Sequence, residues 1–191
     1  MVRSLVLPLA LATLVAACAA PVPEVRFGPD GRPLPRVYRI APSDEGRIQL
    51  RMLDSVNALR AADGLAALRL NSQLNAAAAT HSRDMALQNR PWHFGSDGSS
   101  PIDRVQRTGY PGELKGELIS ETFETELETL AAWMEDPVTA AVILDPAARD
   151  MGFALFQEPS GKIWWTLVTG APDGGGIDGS GFGVDLRAPA G

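Results

Sequence analysis

Asn71 to Ile119 reads NSQLNAAAATHSRDMALQNRPWHFGSDGSSPIDRVQRTGYPGELKGELI, and the reading of this stretch decides the fold. Asn71 or Ser72 caps an Ala-rich helix, because a short polar side chain can accept from the first free backbone N–H groups. Leu74, Ala78, His81 and Met85 then fall on one face at helical spacing. The helix runs out at Asn89-Arg90-Pro91, and a glycine-bearing loop follows. Ser100-Pro101 opens a short second helix: serine caps, proline fits the first helical position, and Asp103 completes a capping-box-like pair. Gly109-Tyr110-Pro111-Gly112 is a turn. Gly116-Glu117 then leads into Leu118-Ile119, the start of a buried strand.

Outward from this centre the pattern continues to alternate. Upstream, Ser43 is expected to cap a helix with Asp44 and Glu45 in its first turn, where acidic groups face the positive end of the helix dipole. Ile48, Met52, Val56 and Leu59 form its buried stripe, which ends before Gly64. Downstream, a long helix is expected from near Thr122, with Phe123, Leu127, Leu130 and Met134 inward and Glu121, Glu124, Glu126 and Glu128 solvated. Asp136-Pro137 restarts a short helix through Leu144. Met151–Gln157 and Lys162–Thr169 read as two strands joined by a turn at Glu158-Pro159-Ser160-Gly161. Trp133 is expected in the core. Trp164 and Trp165 face opposite sides of their strand, so at least one is buried and the other is free to line a groove. Helices gathered on a small, mainly antiparallel sheet make an α+β layered domain.

The ends of the chain carry its address. Arg3 precedes an apolar run, Leu5 to Val15, that is short for a bilayer span, and Val15-Ala16-Ala17-Cys18 follows as a lipoprotein-type cleavage site. Cys18 then becomes the first mature residue and carries acyl chains, several of which together anchor a protein stably. It is the single cysteine among 191 residues, so the domain must hold without an internal disulfide. The chain divides into a signal peptide over 1–17, a lipidated Cys18 and Pro-rich tether to 42, a folded domain over 43–170, and a Gly/Pro-rich flexible tail over 171–191. A formal charge of −6 with no basic block argues against nucleic-acid partners and against electrostatic docking on anionic lipid. The expected location is the bacterial cell envelope, exported and membrane-anchored through Cys18. Outer-membrane attachment facing the periplasm is favoured, because Ala19 lacks the acidic character that marks inner-membrane retention.

Few residues are left to carry chemistry. Of the two histidines, His81 lies on the apolar helix face and reads as a core histidine bonded to a backbone carbonyl or hydroxyl. His93 sits in a loop between Trp92 and Phe94, where it either aims at a cavity or packs between the two rings. Glu117 enters a buried strand and so needs a cation, a histidine or backbone donors. There is no G-x-S-x-G, H-E-x-x-H or phosphate-binding loop. Ser82 and Ser96 are conceivable nucleophiles for His93, but their spacing does not recommend them.

The order of these pieces resembles the bacterial branch of the CAP superfamily (cysteine-rich secretory protein, antigen 5, pathogenesis-related 1; also SCP-like). The match rests on the helix ending His81-Ser82-Arg83-Asp84-Met85-Ala86, on His93 before the Asp97-Gly98-Ser99-Ser100-Pro101 turn, and on Gly116-Glu117-Leu118. With the Trp133 helix and the Trp164-Trp165 strand it spans Ser43 to Gly170. The resemblance implies a three-layer α-β-α sandwich and a polar cavity of two histidines and two acids that binds a divalent cation in some members. His93 and Glu117 match that cavity. Thr139 stands where the second histidine would be, and Leu118 replaces the asparagine of G-E-N. Asp136 or Glu135 is left to supply the second acid, although Asp136 before Pro137 also reads as an N-cap. The expected cavity is therefore His93, Glu117, Asp136 and Thr139, with His93 and Glu117 a weak metal pair at best: a zinc site normally takes at least three protein ligands. The favoured function is a non-catalytic binding module for a small hydrophobic ligand, a peptide or an envelope component, with lipid binding a precedent in the family. The alternatives are a hydrolase of peptide or envelope substrates built on His93 and Glu117, and an envelope protein–protein interaction module.

Overall fold

The chain divides into two units, Met1–Arg36 and Val37–Gly191. The structure, a computed structural model, describes residues 39–172 of the second unit and Pro29 of the first. The expected signal peptide, Cys18, most of the tether and nearly all of the tail lie outside the described residues.

A 3-10 turn, Pro42–Asp44, precedes helix α1, Glu45–Ala62. Strand β1 is Arg69–Leu70 and helix α2 is Ser72–Gln88. Helix α3, Pro101–Arg107, leads to strand β2, Gly112–Ser120. Helices α4, Glu126–Glu135, and α5, Pro137–Ile143, come next, and strands β3, Asp150–Gln157, and β4, Ile163–Pro172, close the fold. The four strands lie in the order β1-β3-β4-β2, antiparallel except for the β1–β3 pair.

Strand alternation sends side chains into two cores, one on each face of this sheet. Phe153, Trp165, Leu167 and Leu118 pack with Ile48, Met52 and Val56 of α1, Leu130 and Trp133 of α4, and Ile143 of α5. Phe153 stacks on Trp165, ring centroids 5.7 Å apart with 9° between planes. Ala154 and Val168 face the other way, against Leu74, Ala77 and Ala78 of α2 and Val105 of α3. The result is the three-layer α-β-α arrangement of the α+β class. Among the described residues no helix is long and apolar enough to cross a membrane.

Most elements arise where the sequence places them, and the exceptions have physical causes. Asn71 caps α2 by accepting from the N–H of Gln73 and Leu74. The Ser100/Asp103 capping box forms on α3. Ser43 does not cap α1, because Pro42 opens a 3-10 turn and the α-helix proper starts at Glu45. The helix expected from Thr122 begins three residues later, where Thr125 and Glu128 make a capping box. That shift rotates its inner face to Glu126, Thr129, Leu130 and Trp133 and leaves Leu127 exposed. Glu126, expected in solvent, is instead buried and paired with Arg51 at 2.5 Å. Both Trp164 and Trp165 are fully buried: the indole of Trp164 donates to Glu158, and that of Trp165 donates to the carbonyl of Phe123.

Candidate functional site

Glu117 owes its direction to an irregularity in β2. The pairing of β2 with β4 shifts register between Leu114 and Gly116. Leu114 packs on the α2/α3 side, and plain alternation would put Gly116 there as well. The shift reverses the phase instead. Gly116 now faces α5, where an added Cβ would lie 2.5 Å from Val142, and Glu117 turns toward α2 and α3. A bulge that re-aims one side chain is a common device near functional sites.

Glu117 is thereby buried, its side chain 3% exposed. An unpartnered carboxylate at that depth would be strongly unfavourable. Its main partner is Arg104 of α3, itself 4% exposed, whose Nη2 donates to both carboxylate oxygens, at 2.9 and 2.7 Å. The same nitrogen donates to the carbonyl of His93 at 2.9 Å, and Nη1 donates to that of Ser99 at 3.1 Å. One guanidinium thus ties strand, loop and helix together. His93 adds its Nδ1 to Glu117 Oε1 at 2.9 Å while its ring stays 49% exposed. Trp92 and Phe94 touch each other, ring centroids 5.6 Å apart, so the flanking aromatics do not enclose the imidazole.

His81 joins the same cluster from α2. Its Nε2 lies 2.9 Å from the carbonyl of Trp92, to which it donates, as the core reading expected, and 3.6 Å from Glu117 Oε1. Burial first, with the nearby Arg104 and His93 charges, outweighs Glu117 and keeps the His81 pKa below its ordinary value. For Glu117 burial alone pushes the pKa up. The His93 hydrogen bond, His81 and Arg104 overcome it and hold the carboxyl below the usual range. The loop that delivers His93 is fixed by Asp84, which accepts from Ser96 N–H and Oγ, each at 2.6 Å. Gly95 permits that folding: a Cβ there would lie 2.6 Å from Ser99 Oγ.

The candidates named from sequence therefore separate. His93 and Glu117 meet. Asp136 and Thr139 belong to helices on the opposite face of the sheet, where Asp136 accepts from Val138 N–H as the cap of α5 and Thr139 Oγ1 donates to the carbonyls of Trp133 and Asp136. Ser82 donates to Thr166 and Ser96 to Asp84, so neither hydroxyl is directed at His93. Arg104, the residue that organises the cluster, carried no sequence signal beyond its place in a short capped helix. A divalent cation fits this donor set poorly, because the buried Arg104 guanidinium already places a fixed positive charge against both oxygens of Glu117. No grouping of three or more His, Cys, Asp or Glu able to hold a metal occurs among the described residues.

The three-layer sandwich, with His93 and Glu117 together beneath a capped short helix, agrees with the fold that the resemblance to CAP domains implied. The sequence profile of the cysteine-rich secretory protein family (CAP) matches residues 53–169, more than half of the chain, and the protein belongs to that family. It is 29% identical over 124 residues to the uncharacterised protein YkwD of Bacillus subtilis (strain 168), covering 65% of this chain and 48% of that protein. The chain therefore spans about half the length of that curated relative. Among solved structures it resembles an outer surface protein from Borrelia burgdorferi, with a TM-score of 0.62 and 14% identity over 72% of this chain and 99% of that one. It also resembles an extracellular protein containing an SCP domain from Bacillus anthracis str. Ames, with a TM-score of 0.61 and 20% identity over 69% and 44% of the two chains. At these identities the likeness is one of fold.

Proposed function

We propose that this chain is an exported, lipid-anchored CAP domain acting as a non-catalytic binding module for a small hydrophobic molecule, a peptide or another component of the cell envelope. One observation carries the reading: Arg104 and His93 engage both oxygens of Glu117. A carboxylate so paired is a weak base, and a cation brought to it would meet the fixed charge of Arg104. Export and anchoring are supported by the apolar run before Val15-Ala16-Ala17-Cys18. The Borrelia relative is an outer surface protein and the B. anthracis relative an extracellular one, which supports export.

A second reading draws on the half-exposed ring of His93 with Glu117 behind its Nδ1, the arrangement of a general base. A water molecule would then have to be the nucleophile, since the serine hydroxyls nearest in sequence bond elsewhere. The two readings part in an assay of the full chain against peptides and cell-wall fragments, beside Glu117→Gln and His93→Ala. Binding without turnover is expected. Turnover lost in both variants would establish the hydrolase instead. For the anchor, Cys18→Ser is expected to move the protein from the detergent phase to the aqueous phase, and a variant that stays membrane-bound would remove the lipoprotein reading.

A further inference from the structure

Strand β1 covers β3 over only two residues, Arg69 and Leu70 against Asp150 and Met151. Beyond it the outer edge of β3 meets side chains. Asn75 Oδ1 accepts from Phe153 N–H at 3.2 Å, Gln49 Nε2 donates to Phe153 C=O at 3.0 Å, and the two amides bond each other at 3.0 Å. Together they imitate one residue of a further strand. Outward-facing groups recur at every second residue of an antiparallel edge. Met151 C=O is bonded on this side by Asn71 N–H and Phe153 by the two amides, so Leu155 presents its N–H and C=O the same way. No side chain caps Leu155 among the described residues.

Leu155 opens onto a groove of ≈ 570 Å³ between α1 and α2, within the roughly 300–1,000 Å³ typical of ligand sites. Ile48 and Ala79 line its walls. Arg39 and Arg83 border it: Arg39 donates to the carbonyls of Glu158 and Pro159, and Arg83 lies 5.6 Å over the ring of Phe156. Neither has a carboxylate partner among the described residues. Of the carboxylates lining the groove, Glu158 already accepts from Trp164 and Ser160, and Glu45 stands on the α1 side. Backbone groups at strand spacing beside two guanidiniums without carboxylate partners select a backbone ligand of opposite charge.

We infer that this groove takes an extended acidic peptide from a partner protein, added as a strand beside β3. One of its residues pairs with Leu155 N–H and C=O, and a carboxylate meets Arg83. Main-chain pairing supplies affinity in such strand addition, and the side-chain contacts supply selectivity. The inference rests on the binding-module reading and gives it a ligand class.

The test titrates a small panel of six-residue Val/Thr peptides, each ending in Asp with a free C-terminus, into the isotope-labelled full chain. The Leu155 amide should shift and exchange more slowly on binding. N-methylation of alternate peptide amides should abolish binding. Replacing Asp by Lys in the peptide, or Arg83→Glu on the exposed face of α2, should weaken it at least about tenfold. Binding that survives N-methylation, binding that leaves the Leu155 amide unprotected, or no binding by any of the panel at millimolar concentration would overturn the inference. Mass spectrometry of the same samples separates it from the reading beneath it. Peptide cleavage with Leu155 protected would refute a purely binding role and leave the strand pairing intact.

Discussion

Arg104 is the residue on which the polar cluster turns, because it brings a fixed positive charge to a carboxylate that burial would otherwise neutralise. Removing one member of such a pair leaves the other charge buried and alone. Glu117→Ala is therefore expected to destabilise the domain by about 3–5 kcal/mol, read from urea unfolding. Arg104→Ala should cost a similar amount, with the double variant well short of the sum because the residues share one interaction. Additive losses would show that the two do not act as a pair. The cluster also sets the response to acid. The folded pKa of Glu117 is depressed from 4.5, so its stabilisation is present above the unfolded value and is lost as pH falls through the folded one. The folded pKa of His81 is depressed from 6.5, so its neutral form is favoured in the fold and stability begins to fall once pH drops below about 6.5. The two effects share a sign: the urea midpoint should decline from near pH 6.5 downward, first through His81 and then through Glu117. A flat profile between pH 7 and 5 would contradict a buried neutral His81. The sequence disclosed that Glu117 needed a partner but not which one. Arg104 sits in a short helix among Asp103, Arg107 and Gln106, where a charged side chain ordinarily reads as surface, and only the packing of α3 over β2 turns it inward.

At the scale of elements, the seating of α2 on the sheet leaves the least tolerance. An added Cβ at Gly152 would lie 2.2 Å from the carbonyl carbon of Leu74 and 2.4 Å from Asn75 N. Both are backbone atoms of the first turn of α2, which cannot rotate aside. Gly152→Ala is expected to destabilise by about 3 kcal/mol or more, the upper end for overpacking. Gly46 is its control. It lies inside α1 with nothing within 4 Å of a built Cβ, so Gly46→Ala should stabilise by up to about 1 kcal/mol. Thermal melts of the two variants should move in opposite directions. Elements with a cap and a clear apolar face were legible from sequence, as α2 with Asn71 and Met85 shows. Sequence alone does not fix the start of α4, because Thr122 and Thr125 are both plausible caps and only Thr125 has Glu128 in position to reciprocate. Strand β1 is two residues long, too short for any alternation to register. The bulge in β2 leaves no mark in the sequence, since Gly112 to Ser120 reads as a turn followed by a strand rather than one interrupted strand.

Across the described domain, cohesion is noncovalent, from the two cores and the buried polar cluster beside them. The single cysteine of the chain is Cys18, outside residues 39–172, so the described domain contains no thiol. Its melting temperature should be the same with and without reductant, a comparison that calorimetry makes directly. A reductant-dependent drop would reveal a covalent link between chains through Cys18. The family and its layers could be read from residue order. The site was legible only in part, because the sequence indicates which residues are unusual, whereas the sheet decides which face each one joins. Thr139, placed at a histidine position by the family resemblance, lies across the sheet from Glu117 and donates instead to the carbonyls of Trp133 in α4 and Asp136, the cap of α5.

The four tryptophans are unequally placed. Trp133, Trp164 and Trp165 are buried, whereas Trp92 is half-buried, with Arg90 4.0 Å over its ring. Its carbonyl receives His81 and its chain neighbour is His93. The protein thus carries a built-in optical reporter: iodide, drawn toward Arg90, would quench one indole and leave three dark to it. The emission it removes would come from the edge of the His93–Glu117–Arg104 cluster, with no label attached.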